Sequence, residues 1–155
     1  MTAQRDALFW LLLALAVTSA ANAAWMLANP EGWYHDLPAA VPDTGPFNAH
    51  FVRDIGIAFV TVTIAFGWAA FAPRWRTPLV VIATVFVAGH ALLHVVDTLR
   101  GALDGDHWLL DLPGVYLPAI VLVPIALRLL RATDPQPSSS SRSTSWPGPG
   151  PSAST

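Results

Sequence analysis

Three histidines and two aspartates recur at helical spacing inside long apolar stretches of this chain. His90, His94 and Asp97 stand at positions i, i+4 and i+7, so on a helix they share one narrow face. His50 and Asp54 stand at i and i+4 and share a face in the same way. Titratable groups are costly in an apolar environment, and imidazole and carboxylate groups are ligands for Zn, Fe, Mn or Cu(II). The pattern therefore predicts a site for a divalent transition metal.

The composition narrows the class of protein that could carry such a site. Of 155 residues, 54% are hydrophobic and only 12% are charged, against about 25% charged in an ordinary soluble domain. The net charge of −2 offers no basic field, so we expect no nucleic-acid partner. The chain has no cysteine, which excludes disulfides, thiolate metal sites and cysteine nucleophiles.

Four apolar segments must position the histidines. Each has about 20 residues, enough to cross roughly 30 Å of hydrocarbon, and in lipid such a segment must be a helix. We expect an all-α, polytopic integral membrane four-helix bundle over residues 1–132, with the lipid bilayer as its main partner. The Ser/Pro/Gly-rich residues 133–155 are expected to form a disordered tail. The predicted helices cover residues 7–28, 50–72, 79–99 and 109–130.

The arginines predict the orientation of these helices. Six of the eight fall on one side of the predicted bundle, and only Arg53 and Arg100 fall on the other. The positive-inside rule then predicts a multi-pass protein of the cell membrane with both termini in the cytoplasm. All five histidines fall on the outward half. The six arginines of the inner side are Arg5, Arg74, Arg76, Arg128, Arg131 and Arg142.

The first segment also has features of a secretory signal. A basic residue, an apolar stretch and the triplet Ala21-Asn22-Ala23 resemble a signal with its cleavage site. However, Asp6 weakens the basic region, and residues 24–28 continue the apolar run past the triplet. We expect an uncleaved helix.

The second and third segments are antiparallel neighbours, because only a tight turn at residues 73–78 joins them. Counted from that turn, Asp54 and His94 are about equally far along their helices. The other polar residues on the two helices differ in depth by only a few Å. The two polar faces can therefore meet inside the bundle, where metal sites of helical bundles are built. The histidines would be ligands, and the aspartates would be ligands or would orient the imidazoles. The predicted metal site comprises His50, Asp54, His90, His94 and Asp97.

Four further titratable residues, which lie on the predicted outer loops or helix ends, are expected to supply an entry path or a second, weak site. They are His35, Asp36, His107 and Asp111.

Other interpretations of the same residues stay open. His50 facing His90 or His94 would suit axial ligation of a b-type haem in an electron-transfer subunit. A bound metal could also serve oxidoreductase chemistry. In contrast, a network such as Asp54 bonded to His94 would only fix helix packing in a non-catalytic membrane subunit, which could form a homo-oligomer or join a membrane partner. A through-membrane proton relay is disfavoured, because only threonines continue the polar faces towards the inner side.

The stretch Phe47-Asn48-Ala49-His50-Phe51-Val52-Arg53-Asp54-Ile55-Gly56 at the start of the second segment has the form of a family motif. In hydropathy and loop pattern, residues 7–131 resemble the small four-helix bacterial membrane proteins of the DoxX-like kind. This resemblance implies the four-helix membrane fold. It assigns no catalytic role to any residue, since function belongs to sites rather than to folds.

Overall fold

The computed structural model describes residues 5–133, and within that range the chain forms six α-helices and no β-strand. Short 3-10 turns lie at Val41–Thr44 and Pro73–Trp75, and a π-helical segment at Leu112–Tyr116 leads into the last helix. Apart from Thr133, the predicted disordered tail lies outside the described residues. The helices are α1 (Ala7–Ala28), α2 (Pro30–Asp36), α3 (Ala49–Phe71), α4 (Arg76–Leu99), α5 (His107–Leu110) and α6 (Leu117–Thr133).

Four stretches of helix are long and apolar enough to cross a membrane, which confirms the predicted all-α class and the four segments. The first agrees with the prediction at both ends, and the second is displaced by one residue. The third starts earlier, because the Pro73–Trp75 turn runs directly into α4. The fourth starts later, because α5 and the π-helical segment precede it. The four stretches are Ala7–Ala28, Ala49–Phe71, Pro73–Leu99 and Leu112–Ala132.

Short polar side chains fix where the first three helices begin. Asp6 accepts a hydrogen bond from the Phe9 amide at 2.7 Å and so caps α1. Asn48 caps α3 in the same way. Asn29 both ends α1 and caps α2, accepting from the Gly32 amide at 3.0 Å. Each cap satisfies an amide that the helix itself leaves without a partner.

The helices pack in chain order, with α1 against α3, α3 against α4, and α4 against α6. The approach of α1 to α3 depends on Gly56, where an added Cβ would lie 3.1 Å from the Met26 Cβ and 3.2 Å from the Leu27 Cγ. The main apolar core contains α1 residues such as Leu12, together with Phe66 of α3, Val80 of α4 and Leu122 of α6. The first segment is thus part of the core of the bundle.

The bundle has two ends of different chemistry. We call the end with the 29–48 and 100–111 connections the histidine end, because all five histidines lie towards it. The opposite end, with the start of α1, the 72–75 turn and the end of α6, is the arginine end. There Arg76 contacts the Asp6 carboxylate at 2.7 Å, and this pair joins the start of α1 to the start of α4.

We predict that replacing Asp6 by alanine lowers the free energy of unfolding by about 1 kcal/mol, the usual effect of losing an N-cap. Asp6→Asn, which keeps a capping oxygen, should lose only the contribution of the charge. Thermal or denaturant unfolding of purified protein in detergent measures both. Asp36→Asn is the control, since Asp36 is exposed and ends α2. An equal loss in Asp36→Asn would contradict the prediction.

The stability that the Asp6 carboxylate contributes should change with pH in a defined direction. Hydrogen bonding and charge pairing with Arg76, together with the Phe9 amide, lower the pKa of Asp6 from its ordinary value of 3.8. A carboxyl with a lowered pKa stabilises the fold above its unfolded value, and this contribution is lost as the pH falls through the folded value. The stability difference between wild type and Asp6→Asn should therefore be constant above about pH 5 and shrink below the ordinary pKa.

Candidate metal centre

One buried carboxylate, that of Asp111, brings two histidines together at the histidine end. Its side chain is 1% exposed, and its Oδ2 lies 2.7 Å from His94 Nδ1 and 3.2 Å from His107 Nδ1. His94 comes from α4 and is 14% exposed, whereas His107 opens α5 and is fully buried. One ligand atom from each of the three residues lies within 4.8 Å of the others. Among residues 5–133 this is the one such group of three or more metal-ligating side chains.

The local sequence explains how α5 meets α4. After α4 ends, Gly101 adopts a φ of +71°, a left-handed conformation that glycine adopts at little cost. The chain turns there and starts a new helical turn at His107, whose amide donates to the Asp104 carbonyl at 3.1 Å. His107 and Asp111 are four residues apart, so one helical turn places both side chains on the same face.

A π-helical turn holds the Asp111 backbone in place. The amides of Val115 and Tyr116 both donate to the Asp111 carbonyl, at 2.8 and 3.2 Å. The second of these bonds spans five residues, which widens the helix locally; π-turns of this kind are frequently found at functional sites. Asp111 thus lies at the junction of α5 with the last membrane-length helix.

His107 has a carboxylate oxygen near each of its ring nitrogens. Asp111 Oδ2 is 3.2 Å from Nδ1, and Asp43 Oδ2 is 3.5 Å from Nε2, at the long limit of a hydrogen bond. A neutral imidazole carries one N–H and can donate to only one of them. Three states fit these distances: a neutral ring that donates from Nδ1 to Asp111, an imidazolium that donates to both carboxylates, and a neutral ring that donates to Asp43 and directs the Nδ1 lone pair towards Asp111. Of these, the third calls for a cation between Nδ1 and the carboxylate.

Two of the three distances between the ligand atoms are close to those of a tetrahedral metal site, and the third, between the two histidines, is at most 4.8 Å. Zn–N and Zn–O bonds of about 2.0–2.2 Å at tetrahedral angles separate neighbouring ligand atoms by roughly 3.3 Å. The His107–Asp111 distance of 3.2 Å already agrees with this value. The His94–Asp111 distance of 2.7 Å would have to widen by about 0.6 Å, which a small side-chain rotation provides. Two imidazoles and one carboxylate would leave a fourth coordination position open.

The residues predicted from the sequence take three different places. His94 belongs to the group around Asp111. His90 lies beside it, with its ring centroid 4.7 Å from that of His94, and it stacks on Phe86. Asp97 is half-buried outside the group, and its backbone carbonyl accepts hydrogen bonds at the end of α4.

The two predicted residues of the second segment pair with each other. His50 Nε2 lies 3.3 Å from Asp54 Oδ2, with the two side chains 88% and 54% exposed. Within residues 5–133, therefore, the five predicted ligands do not form one compact group. His50 is also the residue that the haem hypothesis needs opposite His90 or His94.

Two residues of the compact group, His107 and Asp111, were expected only as an entry path or a weak second site. Their four-residue spacing equals that of His50 and Asp54 and could have marked them. The spacing does not show which pair is buried, because that depends on the turn at Gly101 and on the π-helical segment. The other two residues expected at the periphery, His35 and Asp36, are exposed.

No protein-family model, curated protein or solved structure matches this chain. The function therefore has to follow from the chemistry of the side chains themselves.

The chain offers a matched test of the buried group, since His107–Asp111 and His50–Asp54 are both His–Asp pairs four residues apart. Asp111→Ala leaves two imidazoles without their shared acceptor, and we expect a loss of about 1–3 kcal/mol in the free energy of unfolding. Asp54→Ala removes an exposed pair, for which about 0–1 kcal/mol is expected. Unfolding in detergent measures both; equal losses would contradict the burial of the Asp111 group.

Proposed function

We propose that this chain is an integral membrane protein that binds one divalent transition metal through His94, His107 and Asp111. The observation that carries the proposal is the fully buried His107, with carboxylate oxygens near both of its ring nitrogens. Asp43 at Nε2 would hold the proton on that nitrogen and leave Nδ1 free as a ligand. A carboxylate on the far nitrogen of a metal-ligating histidine is the usual way in which proteins orient the ring.

The charges of the site suit a divalent cation. With neutral imidazoles, the two carboxylates of Asp111 and Asp43 carry a charge of −2 next to His107. Asp111 is 1% exposed and its charge is costly to bury without compensation, whereas Asp43 is 53% exposed; a divalent ion would neutralise the buried carboxylate. This favours a metal over an empty site with neutral histidines.

The donor atoms restrict the metal to a few elements. Imidazole nitrogen and carboxylate oxygen suit Zn, Fe, Mn or Cu(II), and the chain has no cysteine to provide a thiolate. Three protein ligands leave one position for water or substrate, the ligand number of catalytic zinc sites. Zn would act there as a Lewis acid, whereas Fe, Mn or Cu would permit an oxidoreductase.

The surface of the bundle supports the membrane location. Large apolar side chains point outward along the membrane-length helices, including Ile57, Ile64, Ile82 and Val85, each more than half exposed. Such a surface suits hydrocarbon rather than water. With the arginine end in the cytoplasm, as the positive-inside rule requires, the metal centre lies near the outer face of the cell membrane.

One observation favours a second candidate, a structural role without metal. The 2.7 Å contact of His94 with Asp111 is short enough for a charge-assisted hydrogen bond. If His107 is an imidazolium, it also neutralises part of the carboxylate charge. The group would then fix α4 against α5 in a membrane subunit that performs no chemistry.

Metal analysis separates these candidates. We expect freshly purified wild-type protein, or protein stripped with chelator and reloaded with Zn²⁺, to retain close to one metal per chain. His94→Ala/His107→Ala should lose it. The matched control is His50→Ala/Asp54→Ala, which removes the exposed pair and should keep the metal. Zn²⁺ at about 100 times its Kd should also stabilise the wild type by roughly 2.7 kcal/mol and leave the first variant unchanged.

Two results would overturn the metal proposal. If wild-type protein retains no metal and Zn²⁺ does not raise its unfolding temperature, the structural role is correct. If the His50/Asp54 variant loses the metal instead, the site lies at the exposed pair. An absorption spectrum of the same sample tests the haem hypothesis, for which a Soret band lost in His90→Ala or His94→Ala is the expected sign.

The absence of cysteine allows a clean test of topology. Ala102 and Ala132 are both exposed and lie at the histidine and arginine ends. We expect a membrane-impermeant maleimide to label Ala102→Cys in intact cells and to label Ala132→Cys only after permeabilisation. The reverse pattern would invert the orientation. Equal labelling of both in intact cells would contradict a membrane-spanning chain.

A further inference from the structure

A large apolar cavity lies beside the candidate metal centre. It has a volume of about 640 Å³, within the range of pockets that hold small organic ligands. One wall is a stripe of α1 that runs from Leu11 to Asn22, roughly 16 Å along the helix axis. The opposite wall runs from Pro113 to Val121, and α3 and α4 form the floor.

The cavity lies between α1 and α6, which contribute its two long walls. Both helices also contribute to the main core, in which Leu12 of α1 and Leu122 of α6 are fully buried. Near the middle of α1 the cavity is open to the surface of the bundle, where its lining residues Ala14 and Thr18 are exposed. In a membrane this opening faces the lipid, so ligands reach the cavity from the bilayer.

The cavity is polar only towards one end. Apolar side chains line most of it, whereas His90 and Asp111 line it at the histidine end. Trp33 and Asn22 close that end, with the indole N–H of Trp33 donating to the Asn22 side chain at 2.8 Å. A ligand that fills the cavity must therefore be apolar along its body and polar at one end.

The two polar groups at that end have unused hydrogen-bonding capacity. His90 is half-buried and makes ring contacts with Phe86 and His94, but within residues 5–133 it forms no hydrogen bond. Asp111 uses Oδ2 for both of its histidines, and no described residue donates to its Oδ1. Together they present an N–H donor and a carboxylate acceptor to one ligand.

This pair of groups defines the head of the ligand. A hydroxyl can accept from the His90 N–H and donate to Asp111 Oδ1 at the same time, since it is both donor and acceptor. In metal-free protein an anionic head group would be repelled by the Asp111 carboxylate, and an ether or ester could not donate to it. We propose that the cavity binds a neutral lipid alcohol, with its hydroxyl between His90 and Asp111 and its apolar body between α1 and α6.

Two kinds of membrane lipid carry this chemistry, linear alcohols and isoprenoid alcohols. Binding of hexadecanol and of geranylgeraniol to purified, chelator-stripped protein in detergent, followed by native mass spectrometry and by displacement of a fluorescent long-chain alcohol, distinguishes them. We expect at least one to bind one molecule per chain. Its methyl ether, and palmitate in the linear series, should bind at least about tenfold more weakly, because each lacks or opposes the bond to Asp111.

Two variants locate the ligand. His90→Leu should weaken the alcohol at least about tenfold and leave hexadecane, which has no polar head to accept from His90, unchanged, while metal content stays at the wild-type level. Gly114→Leu should block all the probes, since Gly114 lines the cavity and has space around an added Cβ. Gly67→Leu is the control, because Gly67 has the same free space outside the cavity. Normal metal content in His90→Leu makes this test independent of the metal proposal.

The proposal is overturned if palmitate binds as tightly as the alcohols, or if His90→Leu has no effect on them. It is also overturned if none of the probes binds to the wild type, or if Gly114→Leu binds them as well as Gly67→Leu does.

Discussion

The buried carboxylate of Asp111 determines how the histidine end of the bundle is organised. Removal of a carboxylate from water costs several kcal/mol unless hydrogen bonds or opposite charges compensate. The side chain obtains this compensation from His94 on α4 and His107 on α5, while its backbone carbonyl starts the π-helical segment that leads into α6. Three consecutive elements, namely α4, α5 and the π-helical segment, are therefore positioned around Asp111. The need to compensate the buried Asp111 charge therefore accounts for the path of the chain between α4 and α6. It also accounts for the candidate metal centre.

The two halves of the bundle are held together by different physical means. In the first half, α1 and α3 make a close apolar contact that needs the missing side chain of Gly56. In the second half, α4 and α6 combine apolar packing with the polar group around Asp111. Close approach through small residues is a common basis of helix association in lipid, where apolar burial alone gives little advantage.

The sequence predicted the helices well, whereas the candidate metal group around Asp111 shares only His94 with the predicted ligands. Hydropathy and length determine whether a membrane-length helix exists, so the four segments were recognised even where a boundary moved by several residues. Spacing singled out His94, which lies beside Asp111. It could not rank His107 and Asp111 above His50 and Asp54, since both pairs have the same separation and differ only in burial. Burial depends on the left-handed turn at Gly101 and on a π-turn, and neither follows from hydrophobic periodicity.

One contact, between Asp43 and His107, joins the α1–α3 side of the cavity to the candidate metal centre. Asp43 follows α2, which packs on α1 and α3, whereas its partner His107 belongs to the half formed by α4 to α6. A ligand that pushes the walls apart would lengthen this 3.5 Å contact and remove the acceptor that holds the proton on His107 Nε2. Occupancy of the cavity would then change the affinity of the metal centre. Thermodynamic linkage requires the reverse effect to be equal, so a bound metal would change the affinity of the cavity by the same factor.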